Sequence, residues 1–130
     1  MQWPYGYDLL IQSGGYFVAE SDKVIAGCGG VSFSLDEKKN AEIRGFFVAP
    51  EFARKGVASH ILNYCEAYCL ERGVTSLCLA STLSGEPFYE KLGFIESERF
   101  DQPLSNGQSF ELVKMKKRLY VANEPLARKQ

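Results

Sequence analysis

The chain has 130 residues, with 45% hydrophobic and 24% charged residues and a formal net charge of -1. This size and composition predict one globular domain over residues 1–130, large enough to form a core without metal ions or disulfides. The balanced charge argues against nucleic acid or an anionic membrane as a partner. Because no apolar run approaches the length of a membrane span and no signal peptide pattern is present, we expect a cytoplasmic protein.

The four cysteines lie inside segments with strand or helix patterns, where thiols usually pack as small apolar side chains. They are Cys28, Cys65, Cys69 and Cys78. Cys65 and Cys69 could share one helix face, but His60 is the only histidine and no second cysteine pair has zinc-ligand spacing. We therefore predict buried free thiols and no metal site.

A β-hairpin is the first predicted element. Tyr16 to Glu20 and Val24 to Phe33 are rich in aromatic and β-branched residues, and the polar Ser21 to Lys23 between them suits a tight turn. Glycines interrupt the second run at three positions: Gly27, Gly29 and Gly30. Because glycine weakens a regular strand, we expect a bulge or a close backbone approach there.

A third strand and a long helix follow the hairpin. Ala41 to Val48 has a strand pattern that Pro50 ends. From Gly56 the apolar residues recur at helical spacing as far as Gly73, which suits a C-terminal cap. This pattern predicts an amphipathic helix of about five turns.

The second half of the chain repeats the strand and helix order and then closes with two strands. The predicted elements are a buried strand at Ser76 to Ala80, a helix at Leu83 to Leu92, and strands at Phe94 to Phe100 and Phe110 to Met115 around the loop Asp101 to Gln108. Residues 121–130 are polar and predicted to be frayed. The whole pattern predicts a mixed α/β sheet with a hairpin at each end.

The junction between the third strand and the long helix is the most informative feature. The segment EFARKGVA, Glu51 to Ala58, opens the helix directly after the proline. The first amide N–H groups of a helix have no intrahelical partners and, together with the helix dipole, they attract phosphate. Gly56 and Ala58 let a diphosphate approach the backbone closely, because neither carries a large side chain.

Arg54 and Lys55 add positive charge beside the same loop. Taken alone, this short pattern has a plainer interpretation, in which Gly56 is a turn residue and the two cations are solvated. The surrounding sequence decides between the two interpretations.

Two blocks in order resemble the GNAT superfamily of N-acetyltransferases, and the resemblance extends from Gly15 to about Met115. In the first block, AEIRGFFVAPEFARKGVASHIL, Gly56 and Ala58 match the family's acetyl-CoA motif Q/R-x-x-G-x-G/A. Ala53 departs from the motif, since the family usually has Gln or Arg there. Binding through backbone amides is compatible with this change.

The second block, TLSGEPFYEKLGFIE from Thr82 to Glu96, is similar to the family's pattern N-x-x-A-x-x-x-Y-x-x-x-G-F. Tyr89, Gly93 and Phe94 match it. Thr82 replaces the common Asn and provides a hydroxyl, instead of an amide, that can hydrogen-bond the cofactor. Two blocks in order are far more specific than either one alone.

The resemblance implies an α/β (α+β) fold, with a mixed, strongly bent central sheet and flanking helices. The fourth and fifth strands are expected to splay apart around the thioester of acetyl-CoA. The backbone of two strand residues would hold the pantetheine arm, and the amides that follow would hold the pyrophosphate. The implied cofactor-binding residues are Phe47, Val48, Arg54, Lys55, Gly56, Val57, Ala58, Ser59 and Thr82.

The family's activity implies transfer of an acetyl group from acetyl-CoA to a primary amine by direct attack in a ternary complex. Tyr89 resembles the family's general acid, which donates to the thioester sulfur, and a packed core tyrosine is the alternative. Glu42 lies where some members place a general base, and a solvated charge is the alternative. The Val48 amide is the expected oxyanion donor.

The N-terminal segment departs from the family, which normally begins with a strand and two helices that help to form the acceptor site. Only Met1 to Gly14 precedes the hairpin, so either the chain is truncated or the acceptor site is built elsewhere, for example across a homodimer. This departure keeps a second hypothesis open, a non-catalytic acyl-CoA-binding or regulatory module. Small-molecule amines and protein amines both remain open as acceptors.

Overall fold

A computed structural model describes residues 8–34 and 36–120. Within these residues the chain forms a seven-stranded sheet and two α-helices. The elements in chain order are β1 Asp8–Ser13, β2 Tyr16–Ser21, β3 Val24–Phe33, β4 Asn40–Val48, a 3₁₀ turn Pro50–Phe52, α1 Val57–Leu70, β5 Ser76–Thr82, α2 Glu86–Lys91, β6 Ile95–Pro103 and β7 Ser109–Arg118. The predictions for residues 1–7 and for the tail 121–130 lie outside the described residues.

The strands lie in the order β1-β2-β3-β4-β5-β7-β6. Neighbouring strands are antiparallel except for β4 and β5, which run parallel. A parallel pair requires a crossover connection, and α1 provides it while packing on β2, β3 and β4. The predicted mixed sheet, with flanking helices and a hairpin at each end, is confirmed.

The apolar stripe of α1 holds this helix on the sheet. Its buried side chains are Val57, Ile61, Leu62, Cys65 and Cys69. They share one core with strand residues such as Phe17, Leu77 and Met115. Burying a side chain of this size contributes about 1.5–3 kcal/mol. The start of α1, where Val57 is buried, is therefore fixed relative to the sheet.

The four cysteines are free thiols, as predicted. Burial raises the pKa of Cys65 to about 12 and that of Cys69 to about 11. Both thiols therefore stay protonated and uncharged at neutral pH. Cys28 and Cys78 are only half-buried, because each lies on a strand face that α1 does not cover, and this corrects the expectation that all four are buried.

The glycines of β3 allow neighbouring elements to approach closely. A Cβ on Gly27 would lie 2.8 Å from the carbonyl oxygen of Phe47, a distance that real side chains do not reach. The pairing of β3 with β4 also shifts register between Cys28 and Gly30. The predicted bulge and the predicted close approach are both confirmed.

Both helices are shorter than predicted. α1 ends at Leu70, so it has 14 residues and about four turns, and Gly73, with a φ of 80°, lies in the turn beyond it. α2 begins at Glu86, because the Gly85 N–H donates to the Thr82 carbonyl at 3.1 Å and residues 82–85 form a turn instead. Neither helix of the described part has the length and apolar character needed to cross a membrane.

The N-terminal segment contains a strand that was not predicted. β1 pairs with β2 across the turn Gly14-Gly15, whose φ angles are 52° and 90°. A Gly-Gly pair between two strand-like runs is a hairpin signal, and it could have identified β1. Within residues 8–34 no helix precedes or separates these strands.

The closing hairpin is also longer than predicted. Its pairing extends to Pro103 and Ser109, so the loop contains only residues 104–108. The Leu104 N–H donates to the Gln108 carbonyl at 2.7 Å, and this tight turn allows both strands to continue. The loop was predicted from Asp101 to Gln108, so its predicted start was three residues too early.

β4 and β5 diverge, as the resemblance implied. They pair at only three positions: Asn40 with Ser76, Ala41 with Leu77 and Glu42 with Cys78. Beyond these positions, residues 43–48 of β4 and 79–82 of β5 are not paired with one another, and we call the opening between them the fork. Backbone groups that face the fork are available to a ligand, because neither strand satisfies them there.

Candidate active site

The loop from β4 to α1 presents backbone amides to the fork. After the 3₁₀ turn, Arg54 has a φ of 63° and Gly56 a φ of 82°, both in the left-handed region. Gly56 is the N-cap of α1, and no side-chain hydrogen bond caps this end of the helix. Left-handed residues beside an uncapped helix start form an anion-binding concavity. The loop from Glu51 to Ala58 therefore has the backbone conformation that a phosphate cradle requires, and phosphate binding there stays a prediction.

A cavity of about 900 Å³ fills the fork between the two strand-to-helix junctions. Its lining includes most of the sequence-predicted site: Phe47, Val48, Arg54, Gly56, Val57, Ala58, Ser59, Thr82 and Tyr89. It also includes residues that were not predicted: Phe46, Phe52, Ala53, Ala80, Ser81, Gly85, Pro87, Phe88, Lys91 and Leu92. The cofactor-binding segments of the prediction thus meet in one place.

Lys55 is the one predicted cofactor-binding residue outside the cavity lining. Its ammonium lies 5.8 Å from the centre of the Phe52 ring, in a cation–π arrangement. Arg54 and Lys91 are the cations that border the cavity. Lys91 was not predicted, because only the fold brings the end of α2 beside the α1 cradle.

Aromatic side chains give the cavity an apolar wall. Phe47 is 53% exposed and Phe88 is 41% exposed, although both are large hydrophobic residues. Exposed apolar surface that lines a cavity is typical of a ligand-binding site. Phe88 had a usable sequence signal, since it is adjacent to Tyr89 in the second family block.

Tyr89 lies in α2 with its ring held between two aromatic neighbours. The ring packs edge-on against Phe88 and Phe94, with centroid distances of 5.0 and 6.0 Å. Burial raises the pKa of the Tyr89 phenol above its ordinary value, so the hydroxyl is protonated at neutral pH. This hydroxyl makes no hydrogen bond to the residues that the structure describes, and it can donate one to a ligand in the cavity.

Glu42 borders a second cavity, of about 290 Å³, rather than the one that contains Tyr89. Glu98, Phe100 and Lys114 also line this second cavity. Ala80 lines both cavities, so the two are adjacent at β5. The structure therefore places the two predicted catalytic side chains in adjacent cavities.

Thr82 has a local structural role at the start of α2. Its Oγ1 accepts a hydrogen bond from the Gly85 N–H at 3.1 Å and lies 3.2 Å from the Ser84 Oγ. Gly85 leaves room for the Ser81 side chain, because a Cβ on it would lie 2.8 Å from the Ser81 Oγ. Residues 82–85 thus form a compact turn that directs α2 along the cavity.

The chain belongs to the acetyltransferase (GNAT) family, whose sequence profile matches residues 2–94. Two relatives are named uncharacterized N-acetyltransferases. That of Chlorobaculum tepidum is 33% identical over 91 residues, which are 68% of this chain and 56% of the relative. That of Methanocaldococcus jannaschii is 28% identical over 105 residues, which are 75% of this chain and 46% of the relative. This chain spans about half the length of these relatives.

Solved structures show the same fold. Ard1 from Thermoplasma volcanium matches with a TM-score of 0.70 and 20% identity, over 92% of this chain and 74% of that protein. An aminoglycoside 6'-N-acetyltransferase complexed with coenzyme A matches with a TM-score of 0.68 and 16% identity, over 84% and 74%. The ribosomal-protein-S18-alanine N-acetyltransferase from Escherichia coli matches with a TM-score of 0.63 and 22% identity, over 95% of this chain and 76% of that protein. The expected family fold is confirmed.

Proposed function

We propose that this chain transfers an acetyl group from acetyl-CoA to a primary amine, by direct attack in a ternary complex. The observation that carries the proposal is one cavity that joins an uncapped helix N-terminus to the half-buried phenol of Tyr89. The first group suits a diphosphate, and the second suits a thioester leaving group. Membership of the GNAT family supports the same assignment.

The cavity offers the groups that acetyl-CoA requires. The first amides of α1 and Arg54 suit the diphosphate, and the exposed rings of Phe47 and Phe88 suit the apolar part of the pantetheine arm. A Cβ on Gly56 would meet only the His60 ring, at 3.8 Å, so the space above the backbone is open. Acetyl-CoA supplies the thioester carbonyl and the sulfur leaving group.

We assign to Tyr89 a hydrogen bond to the departing sulfur. From ordinary pKa values near 10 and 8.5, proton transfer from a phenol to a thiolate is uphill by about 2 kcal/mol. Burial raises the Tyr89 pKa further, which makes full transfer less favourable still. Tyr89 therefore acts by donating a hydrogen bond as charge develops on sulfur. The Val48 N–H, at the end of β4, is the proposed oxyanion donor.

The second cavity is the proposed acceptor side. Glu42 and Glu98 contribute two carboxylates and Lys114 one ammonium to its lining, and the exposed guanidinium of Arg44 lies 3.6 Å from the Glu42 carboxylate. A cationic amine would take the place of Arg44 beside Glu42. A carboxylate is too weak a base to deprotonate an alkylammonium alone. Glu42 is therefore assigned to hold the amine and a water that accepts its proton. Both small-molecule and protein amines fit this description.

A second candidate function follows from the separation of Glu42 and Tyr89 into two cavities. A non-catalytic acyl-CoA-binding module would keep the cradle and the apolar wall, and it would need neither side chain near an acceptor. It makes a different kinetic prediction.

Release of free CoA from acetyl-CoA, measured with a panel of polyamines, amino acids, aminoglycosides and lysine-containing peptides, separates the two functions. For an acetyltransferase, Tyr89→Phe and Glu42→Gln should each lower kcat about tenfold. Tyr64→Phe is the matched control for the phenol, because Tyr64 packs against Phe17 in the core. Glu90→Gln is the control for the carboxylate, because Glu90 is exposed outside both cavities.

Tight CoA binding without amine-dependent release would identify the binding module instead. A folded protein that binds no CoA would contradict both functions. Unchanged kcat in Tyr89→Phe and in Glu42→Gln would remove the two assigned roles while leaving the activity itself in place.

A further inference from the structure

α2 is too short to hold its own position. It has six residues, and no side-chain hydrogen bond caps its first end. A helix of this length is unstable alone, so tertiary contacts must fix it. Its placement matters because Tyr89 lies in its middle and the helix forms one wall of the large cavity.

A first contact fixes the start of α2. The guanidinium of Arg99, in β6, donates from Nη2 to Glu86 at 3.1 Å. The same guanidinium donates from Nε and Nη2 to Glu96, at 2.9 and 3.1 Å. Glu86 is the first residue of α2, and its side chain is only 15% exposed. A planar guanidinium held on two carboxylates has a defined orientation, so it restrains the helix start in direction as well as in distance.

A second contact fixes the end of α2. Lys117, in β7, donates from Nζ to the Leu92 carbonyl at 2.8 Å. Leu92 is the C-cap of α2, where a cation suits the unsatisfied carbonyl groups. The same ammonium lies 2.6 Å from the Glu66 carboxylate in α1, and both side chains are mostly buried. Lys117 therefore links α2 to the helix that begins at the phosphate cradle.

Both cations belong to one hairpin, β6–β7, and Tyr89 lies midway between their two contacts along α2. We propose that Arg99 and Lys117 are positioning residues, which together clamp α2 so that the Tyr89 hydroxyl faces the thioester site. We call this pair of contacts the α2 clamp. The inference rests on the proposed function, because it assigns the clamp to the orientation of a reacting group.

The first test is a double-mutant comparison at Arg99. Arg99→Gln should lower kcat about fivefold, with the KM for acetyl-CoA changed by less than about twofold, because the phosphate cradle is on the other helix. Glu86→Gln should have a similar effect, and the Arg99→Gln, Glu86→Gln double variant should be no worse than either single variant. Arg72→Gln is the control outside the cavity, since it also removes a guanidinium with two partners, here the Glu71 carboxylate and the Tyr68 carbonyl.

The decisive comparison uses Tyr89→Phe as a background. If Arg99 acts through Tyr89, adding Arg99→Gln to Tyr89→Phe should lower kcat no further. A purely structural role predicts that the two losses multiply, and that result would overturn the proposal. Full activity in Arg99→Gln alone would overturn it as well.

The role of Lys117 is tested with a single and a double variant. Lys117→Met should lower both the melting temperature and kcat, because it leaves the buried Glu66 carboxylate unpaired and also removes the donor to Leu92. The Lys117→Met, Glu66→Gln double variant should recover most of the melting temperature, but kcat should stay about fivefold low because Leu92 still lacks its donor. Recovery of kcat together with stability would overturn the role of Lys117 as a positioning residue.

Amide hydrogen exchange tests the α2 clamp without a measurement of enzyme activity. In Arg99→Gln the amides of residues 88–93 should exchange about fivefold faster, while those of α1 should be unchanged. Unchanged exchange in α2 would overturn the clamp even if the wild-type protein is an active acetyltransferase. Faster exchange in a protein that shows no amine-dependent turnover would support the clamp and contradict the proposed function, so the two failures are distinguishable.

Discussion

The two strand-to-helix junctions beside the fork present different kinds of groups to the same cavity. From β4 to α1 the chain offers mainly backbone, with left-handed residues at Arg54 and Gly56 and an uncapped helix start. From β5 to α2 it offers side chains, above all Phe88 and Tyr89. A backbone site depends on conformation and tolerates most side-chain changes. A side-chain site depends on every contact that orients those side chains.

The largest effect is expected where the backbone conformation itself is changed. Gly56→Ala should weaken CoA binding at least about tenfold, because a Cβ disfavours the left-handed conformation and adds a methyl group beside the backbone amides that are proposed to bind the diphosphate. Gly73→Ala is the matched control, since its φ of 80° is close to the 82° of Gly56 and a Cβ there meets nothing within 4 Å.

Each of these two variants should lose about 1 kcal/mol of unfolding free energy. Isothermal titration with CoA and thermal denaturation measure both quantities. Equal CoA affinity in Gly56→Ala and Gly73→Ala would show that the α1 junction is not the phosphate site.

A smaller loss of CoA affinity is expected at the α1 junction when a cation is removed, and it should differ between the two adjacent cations there. Arg54 lines the cavity, whereas Lys55 lies over the Phe52 ring. Arg54→Gln should therefore weaken CoA binding about fivefold, through the loss of a charge-assisted contact with the diphosphate. Lys55→Gln should change it by less than about twofold. Titrations at low and high salt check this, and the reverse order of the two losses would contradict the geometry.

The same contrast explains how much the sequence predicted. The α1 junction was predicted almost completely, because a strand, a proline, Gly56 and a helix pattern are local features that determine a backbone shape. Ala53 did not disturb this prediction, since the predicted contacts come from backbone amides rather than from its side chain. The divergence of β4 and β5 was predicted only through the family resemblance, because strand pairing depends on the whole sheet.

The α2 junction was predicted less completely. Tyr89 and Thr82 were named, but the contacts that hold α2 were not, because Arg99 and Lys117 are distant from it in sequence. The same reason applies to Lys91, which lines the same cavity as the α1 junction only in the folded chain. The placement of Glu42 in a separate cavity was likewise a result of the fold.

A still smaller effect is expected at the turn that begins α2. Thr82→Val removes one of the two oxygens that accept the Gly85 N–H, the side-chain one, and leaves the Thr82 carbonyl, so it should lower kcat about threefold and the unfolding free energy by about 1 kcal/mol. Thr82→Ser keeps that oxygen and should behave like the wild type in both measurements. If Thr82→Ser lost as much activity as Thr82→Val, the methyl group rather than the hydrogen bond would be the important feature.

The smallest effect is expected in the pH dependence of kcat/KM, which should not decline at high pH if Tyr89 remains protonated. A phenol of ordinary acidity would lose half of its donor form near pH 10. Burial raises the pKa of Tyr89, so its protonated donor form persists above that pH. As pH rises, kcat/KM should increase while the acceptor amine loses its proton, and it should then stay level within about twofold to pH 10.

Rates from pH 7 to 10 with an amine of low pKa check this, and Tyr89→Phe provides the reference curve. A fall in kcat/KM centred below pH 10, seen in the wild type but not in Tyr89→Phe, would show that Tyr89 loses its proton more easily than its burial implies. The environment of the phenol in the working protein would then be more polar than its aromatic contacts with Phe88 and Phe94 indicate.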